Sequence, residues 1–278
     1  MPFQNNIFRG VVALGALGLF GSLFVFAVHQ TTPSPHVLLD GNHNQNQEAS
    51  TTPPLVNYVE IVQSCGIHFE GTCVVARSGP GTEFPIVNRF RTGTVLMVST
   101  STAREGHTWY KIAFANGLRY PERVTSDWYV AGDYAHLFQS TGTLTLPETA
   151  ATSTTKRIVV DRTKQMLYAY DGNDLFMEAK ISTGVELTPT PRGLFRIYKK
   201  TPSRYMQGPI PGISTEYYDL PGVPWNLYFT YQGAVIHGAY WHNDFGKVHS
   251  NGCVNLPITD AAKLYQWADL GTEVLVRD

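Results

Sequence analysis

From Tyr58 to the C-terminus the sequence is interrupted at short intervals by Gly, Pro, Asn or Asp, and the pieces between are rich in β-branched and aromatic residues. "CVVARSGPGTEF", "VLMVST", "TWYKIAF", "DWYVAGDYAHLF", "GLFRIYKK", "NLYFTYQ" and "AVIHGAYW" are all of strand length, with no room for a helix between the breaks. Only "PITDAAKLYQWADLG" keeps helical spacing: Ile258, Ala261, Ala262, Tyr265 and Ala268 share one face. Pro257 and Asp260 mark its first turn and Gly271 follows its end. The expected fold class is therefore mainly β with at least one helix. At 278 residues, 43% hydrophobic and 15% charged, the chain can bury substantial cores. A net charge of −1 excludes a general attraction to nucleic acid or to anionic lipid. No internal repeat is visible.

Five sections are expected. Residues 1–29 contain Gly10–Val28, about 19 residues without a charge, preceded by Arg9. That length and the positive N-terminal flank predict a single transmembrane anchor, with the N-terminus inside and the body outside the membrane. A cleaved signal peptide ending near Val25 and Ala27 is the rival reading; a buried soluble helix does not suit a segment apolar on every face. Residues 30–57, rich in Pro, Thr, Asn and Gln, read as a tether. Residues 58–139 read as a small barrel and 140–155 as a polar linker. Residues 156–278 form the last, β-rich section, opening with two strands across a tight turn at Asp171-Gly172. Cys65 and Cys73 flank a turn-like "GIHFEGT" and are disulfide candidates in an exported protein, a closure that stabilises by roughly 2–3 kcal/mol on the chain-entropy model.

The third cysteine, Cys253 in "HSNGCVNL", has no partner left. An unpaired thiol outside the cell needs a reason, and the chemical one is nucleophilic catalysis with a histidine as base. His237 ends the strand "AVIH" 16 residues earlier, and His242 and His249 fall between. Gly252 lets the backbone approach a substrate, and backbone N–H groups at such a turn can stabilise an oxyanion. Two rivals stand beside this reading: an inert buried cysteine, and a zinc site from His237, His242, His249 and Cys253, which lacks the usual close ligand pairs. No metal and no cofactor is expected.

Two resemblances add to these readings. Ala76-Arg77-Ser78-Gly79-Pro80-Gly81, Gly93-Thr94, Trp109-Tyr110-Lys111-Ile112 and Trp128-Tyr129-Val130 resemble, in order, the bacterial SH3 domains attached to cell-wall enzymes. That implies a module binding wall peptide or glycan, or a rigid spacer. "IHGAYW" followed by "HSNGCVNL", with the upstream "VVDRTKQMLYAYDGNDLFMEAKISTGVELTPTPRGLFRI", resembles the L,D-transpeptidase catalytic (YkuD) family. The likeness runs over the last 120 or so residues and includes the Ser182-Thr183-Gly184 turn.

The second resemblance implies roles for particular residues. Cys253 is the acyl-accepting nucleophile and His237 its base. Gly252 and Cys253 lend N–H groups to the oxyanion hole, helped by the Tyr240 region. Asn255 holds the turn or the donor peptide, Trp241 forms an aromatic wall, and Tyr217 or Tyr218 lies in a lid. The family's His two positions before the cysteine is Asn251 here, which removes an ionisable group but still leaves hydrogen bonding to hold the turn; His249 is a possible electrostatic substitute. The implied reaction acts on peptidoglycan stem peptides. The thiolate displaces D-alanine from a tetrapeptide stem, and an amine of a second stem resolves the thioester. A cysteine hydrolase of wall peptides and an inactive wall-binding adaptor are the alternatives.

Overall fold

The computed structural model describes residues 53–114, 117–147, 154–212 and 214–278. The expected anchor at 1–29 and most of the tether lie outside the described residues. Among those described, no helix is long and apolar enough to cross a membrane.

The strands fall into three sheets. The first holds β1 (Val56–Ile61), β2 (Val74–Arg77), β3 (Ile86–Phe90), β4 (Val95–Arg104), β5 (His107–Ala113), β6 (Tyr129–Ala131) and β7 (Ala135–Ser140). It runs antiparallel in the order β3-β2-β6-β5-β4-β1-β7. Val59, Ile61, Ala76, Phe90, Trp128 and Val130 close its own core. A disulfide joins Cys65 and Cys73 beside β2, with the Cα atoms 4.4 Å apart.

After β8 (Leu144–Thr145) come β9 (Lys156–Asp161), β10 (Met166–Asp171), β11 (Asp174–Lys180), β12 (Gly193–Arg196), β13 (Lys199–Gln207), β14 (Asp219–Tyr228), β15 (Val235–Gly238) and β16 (Val254–Leu256). Helix α1 (Ile258–Trp267) and β17 (Glu273–Arg277) complete the chain. The second sheet is ordered β11-β10-β9-β17-β12 and the third β16-β15-β14-β13-β8. Alternation along β10 turns Leu167 and Ala169 inward, and along β17 Val274 and Val276. These meet Trp225, Leu227, Ile236, Val254 and Leu256 of the third sheet in one core with Ala261, Leu264 and Tyr265 of α1. The chain is mainly β with one helix among the described residues; the helix buries Ala261, Leu264 and Tyr265, while Ile258 and Ala262 of the expected stripe are half-buried against the same core.

Two local details differ from expectation. The β10–β11 turn is centred one residue later, on Gly172-Asn173, because Asp171 pairs with Asp174 and Gly172 supplies the positive φ of 58° at the first turn position. Inside the segment read as a linker, Leu144–Thr145 pairs with Lys200–Lys199 as an edge strand of the third sheet. Apolar Leu144 and Leu146, whose N–H donates to Tyr198 O, anchor that edge.

The first sheet docks on the third through Tyr58 and Val95, which join its core, and through part-buried polar contacts. Ser203 Oγ donates to Val95 O at 2.5 Å. Arg123 donates to Gly208 O at 2.8 Å and Tyr218 O at 3.2 Å, and Tyr120 hydroxyl to Pro209 O at 2.7 Å. Closest approach occurs at Gly222, where φ is +67° and an added Cβ would lie 2.6 Å from Val95 O. Gly222→Ala is therefore expected to destabilise the protein by roughly 1–3 kcal/mol, from the left-handed backbone together with the clash against Val95 O and Thr94, read as a lower urea midpoint. An unchanged midpoint would show that this docking is loose.

Candidate active site

Cys253 and His237 are brought together by the parallel pairing of β15 and β16. Ile236 lies opposite Val254 and His237 opposite Asn255. Cys253 enters β16 opposite Val235, so it and His237 leave the same face of adjacent strands, offset by two residues or roughly 6–7 Å along the strand. The turn before the cysteine requires Gly252, whose φ is +104°. Ser250 Oγ donates to Cys253 O at 2.5 Å and accepts from Gly252 N–H at 3.2 Å. Thr190 Oγ1 donates to the same Cys253 carbonyl at 3.2 Å while accepting from Gly184 N–H.

The Ser182-Thr183-Gly184 turn interlocks with this loop. Thr183 O accepts from both His249 and Ser250 N–H at 3.0 Å, and Ser182 exchanges backbone bonds with Asn255. A Cβ at Gly184 would fall 2.1 Å from Thr188 O and 2.9 Å from Gly252 Cα, so the backbones touch with no side chain between. Sequence reading identified the turn; its work is to fix the cysteine loop.

His237 is completely buried, and its Nδ1 lies 3.0 Å from Gly238 O. A carbonyl only accepts, so Nδ1 carries the proton and Nε2 is left with a free lone pair. Nε2 has no hydrogen-bond partner. Burial holds the imidazole down at about 4, against the pull of Gly238 O and reinforced by the charge of Arg204 and by His242. Burial also raises the Cys253 thiol, partly offset by Arg204 and by the Val235 backbone. The resting pair is thus a neutral thiol and a neutral imidazole. Sγ rests 3.9 Å from Gly233 O.

Both residues line a cavity of about 590 Å³. Trp241, Tyr218, Asn251, Gly252 and Asn255 also line it. Trp241 lies against the His237 ring, with centroids 5.7 Å apart. Asn251 donates to Glu216 Oε2 at 2.6 Å and accepts from Thr188 Oγ1 at 3.4 Å, so the residue standing in place of a histidine ties the cysteine loop to the opposite rim. His249 stacks on His242 at 4.1 Å between centroids and lies 3.7 Å from Asp244; facing rings do not converge lone pairs on a common point.

Asn255 is buried, its Nδ2 2.9 Å from His242 Nε2. Since His242 Nδ1 accepts from Asp244 N–H, the neutral ring holds its proton on Nε2. That proton and the otherwise unpartnered Asn255 Oδ1 satisfy each other when the amide presents its oxygen to the ring.

Two expected site residues lie elsewhere. Tyr240 does not line the cavity: its hydroxyl donates to Pro221 O at 2.5 Å and its ring faces Arg91 of the first sheet. Trp241, the next residue, takes the cavity side. Tyr217 is 68% exposed, stacked on the Arg123 guanidinium at 4.4 Å, while adjacent Tyr218 faces inward. Sequence reading missed Arg204, Arg119, Glu216, Thr188 and Ser250. None carries a spacing signal, because the first four reach the site from other parts of the chain.

His237 and His242, both held at about 4, make stability pH-dependent with a definite sign. Above pH 6.5 neither state binds the protons; below it the unfolded chain takes them first, so stability falls as pH drops towards 4. Each should remove about 2 kcal/mol between pH 7 and 5 in urea unfolding, and His237→Gln should flatten the slope by one histidine. An unchanged slope would contradict the buried neutral ring.

No curated protein matches the chain. Among solved structures it is similar to the L,D-transpeptidase of Enterococcus faecium, at 27% identity over 44% of this chain and 49% of that one, with a TM-score of 0.40. The catalytic domain of the E. faecium enzyme acylated by ertapenem matches at 26% over 46% of this chain and all of that one, TM-score 0.40. An L,D-transpeptidase from Mycobacterium smegmatis matches at 21% over 65% of this chain and 93% of that one, TM-score 0.43. The chain thus spans about half the length of the first of these structures. Residues 155–276, which hold every side chain of the cysteine loop and its histidine, match the family model of YkuD, the L,D-transpeptidase catalytic domain.

Proposed function

We propose that the protein is a peptidoglycan L,D-transpeptidase working through a cysteine thioester. The observation that carries this reading is the buried His237 Nε2, unpartnered and sharing a cavity with a thiol that has no disulfide partner. The reaction requires Cys253 Sγ to leave Gly233 O, 3.9 Å away, for His237 Nε2, and a change of the cysteine's χ1 rotamer is the simplest motion of that kind.

In the first half-reaction Nε2 takes the S–H proton as sulfur attacks the carbonyl joining the third residue of a tetrapeptide stem to its terminal D-alanine. The tetrahedral adduct collapses by breaking the C–N bond. Nε2–H returns the proton to the leaving amine, which departs as D-alanine. A second stem's amine then attacks the thioester and loses its proton through Nε2 to the released sulfur, forming the cross-link. Because the resting pair is neutral, no charge is stored on the reacting groups, and the ion pair between them exists only as reaction proceeds. Asn251 and Trp241 bound the peptide's path.

The expected setting is the outer face of a membrane, with residues 1–29 as anchor and the first sheet as an SH3-like module that positions or binds wall polymer. The Cys65–Cys73 disulfide supports an oxidising compartment. Docking of the first sheet onto the flap between β13 and β14 supports a positioning role for it.

Incubation with disaccharide tetrapeptide should give cross-linked dimer and free D-alanine; tripeptide alone would mark a hydrolase, and no conversion an adaptor. In parallel, intact-mass measurement after ertapenem exposure should show an adduct that Cys253→Ala and His237→Ala abolish and Asn251→Ala only slows. Equal loss in the Asn251 and His237 variants would overturn the assignment of the base.

A further inference from the structure

A second cavity of about 270 Å³ adjoins the first, between the first sheet and β13–β14. Arg119, Arg204 and Ile210 line both. The smaller cavity is lined by three cations, Lys199, Arg204 and Arg119, and by no carboxylate among the described residues. Two acids of the adjoining β13–β14 flap are committed elsewhere. Asp219 accepts from Tyr205 hydroxyl at 2.9 Å and Gln207 at 3.2 Å and lies 3.6 Å from Arg123, and Glu216 accepts from Asn251.

Arg204 sits on β13 where the register with β14 shifts. Its Nη1 is buried with no hydrogen-bond partner. The aromatic face of Tyr228 is what it and Lys199 have for company, 5.5 and 4.9 Å from the ring centroid. Arg204 is half-buried, and a guanidinium nitrogen shut off from water without an acceptor is costly to maintain, a π face replacing only part of what an anion supplies. Its planar fork suits a carboxylate. From the wall between the two cavities its charge reaches both His237 and Cys253.

We propose that Arg204, backed by Lys199 and Arg119, is a carboxylate-recognition site that seats an anionic group of the peptide substrate beside Cys253. This deepens the peptide-transfer reading, on which the identity of the peptide rests; the preference for an anion does not depend on it. Such a carboxylate belongs either to the peptide's C-terminus or to one of its side chains.

Alkylation of Cys253 in the full chain tests the site without requiring turnover. Rates with iodoacetate and with neutral iodoacetamide are measured and their ratio is divided by that of a small free thiol, which cancels any change in thiol ionisation. The normalised ratio should exceed one in the wild type, fall roughly fivefold in Arg204→Gln and survive in Arg204→Lys, the size expected for one charge at moderate effective dielectric. A wild-type ratio at or below one, or one unmoved by Arg204→Gln, overturns the proposal.

Should Arg204→Gln fail to fold, protection of wild-type Cys253 from iodoacetamide decides. N-acetyl-L-alanyl-D-alanine should protect if a terminal carboxylate is read, and N-acetyl-L-glutamyl-D-alanine amide if a side-chain one is. Equal protection by uncharged N-acetyl-L-alanyl-D-alanine amide, or none by any of the three, overturns it. Anion preference without cross-linking would keep this site and remove transpeptidation; cross-linking without anion preference would do the reverse.

Discussion

The hydrogen bond from His237 Nδ1 to the carbonyl of Gly238 fixes which ring nitrogen holds the proton, and nearly everything at the site follows from that choice. A ring buried at the end of β15 cannot be satisfied by water. With Nδ1–H committed to the backbone, the Nε2 lone pair is the only basic function left, on a residue that lines the same cavity as Cys253. Burial then suppresses charge on both partners. The protein keeps a weak base and a weak acid in one desolvated place, where either alone would be inert and where a bound acyl group can draw the proton across.

Fixing the thiol is the work of two backbone turns pressed together. Gly184 and Gly252 approach with no Cβ between them, and Thr183, Thr190 and Ser250 spend their polar atoms on the cysteine loop rather than on solvent. The opposite rim is steadied from a different part of the chain. Arg123, lying between the rings of Tyr120 and Tyr217, bonds the carbonyls of Gly208 and Tyr218 at the base of the flap that carries Glu216. The first sheet therefore shapes the cavity, although none of its strands supplies a reacting group.

What the sequence made legible was local. Gly- and Pro-punctuated β-branched runs gave strands, and a single helical stripe gave α1. A histidine closing an apolar strand and a lone cysteine after a glycine marked the centre of the site. Which of two neighbouring aromatics faces the cavity was not legible for Tyr240 against Trp241 or Tyr217 against Tyr218. One residue of phase reverses the side, and phase is set by strand pairing rather than by composition. Arg204 was invisible for another reason: a cation within "TPSRYMQ" reads as a solvated strand face until the first sheet packs over it. Leu144 reads as linker because the edge it pairs with lies more than fifty residues downstream.

The central claim concerns one proton on one ring, and nitrogen-15 NMR of the histidine side chains reports it directly. The account predicts that His237 shows a protonated Nδ1 and an unprotonated, pyridine-like Nε2, neutral from pH 8 down to about pH 5. An Nε2-protonated tautomer, or an imidazolium at neutral pH, would contradict it.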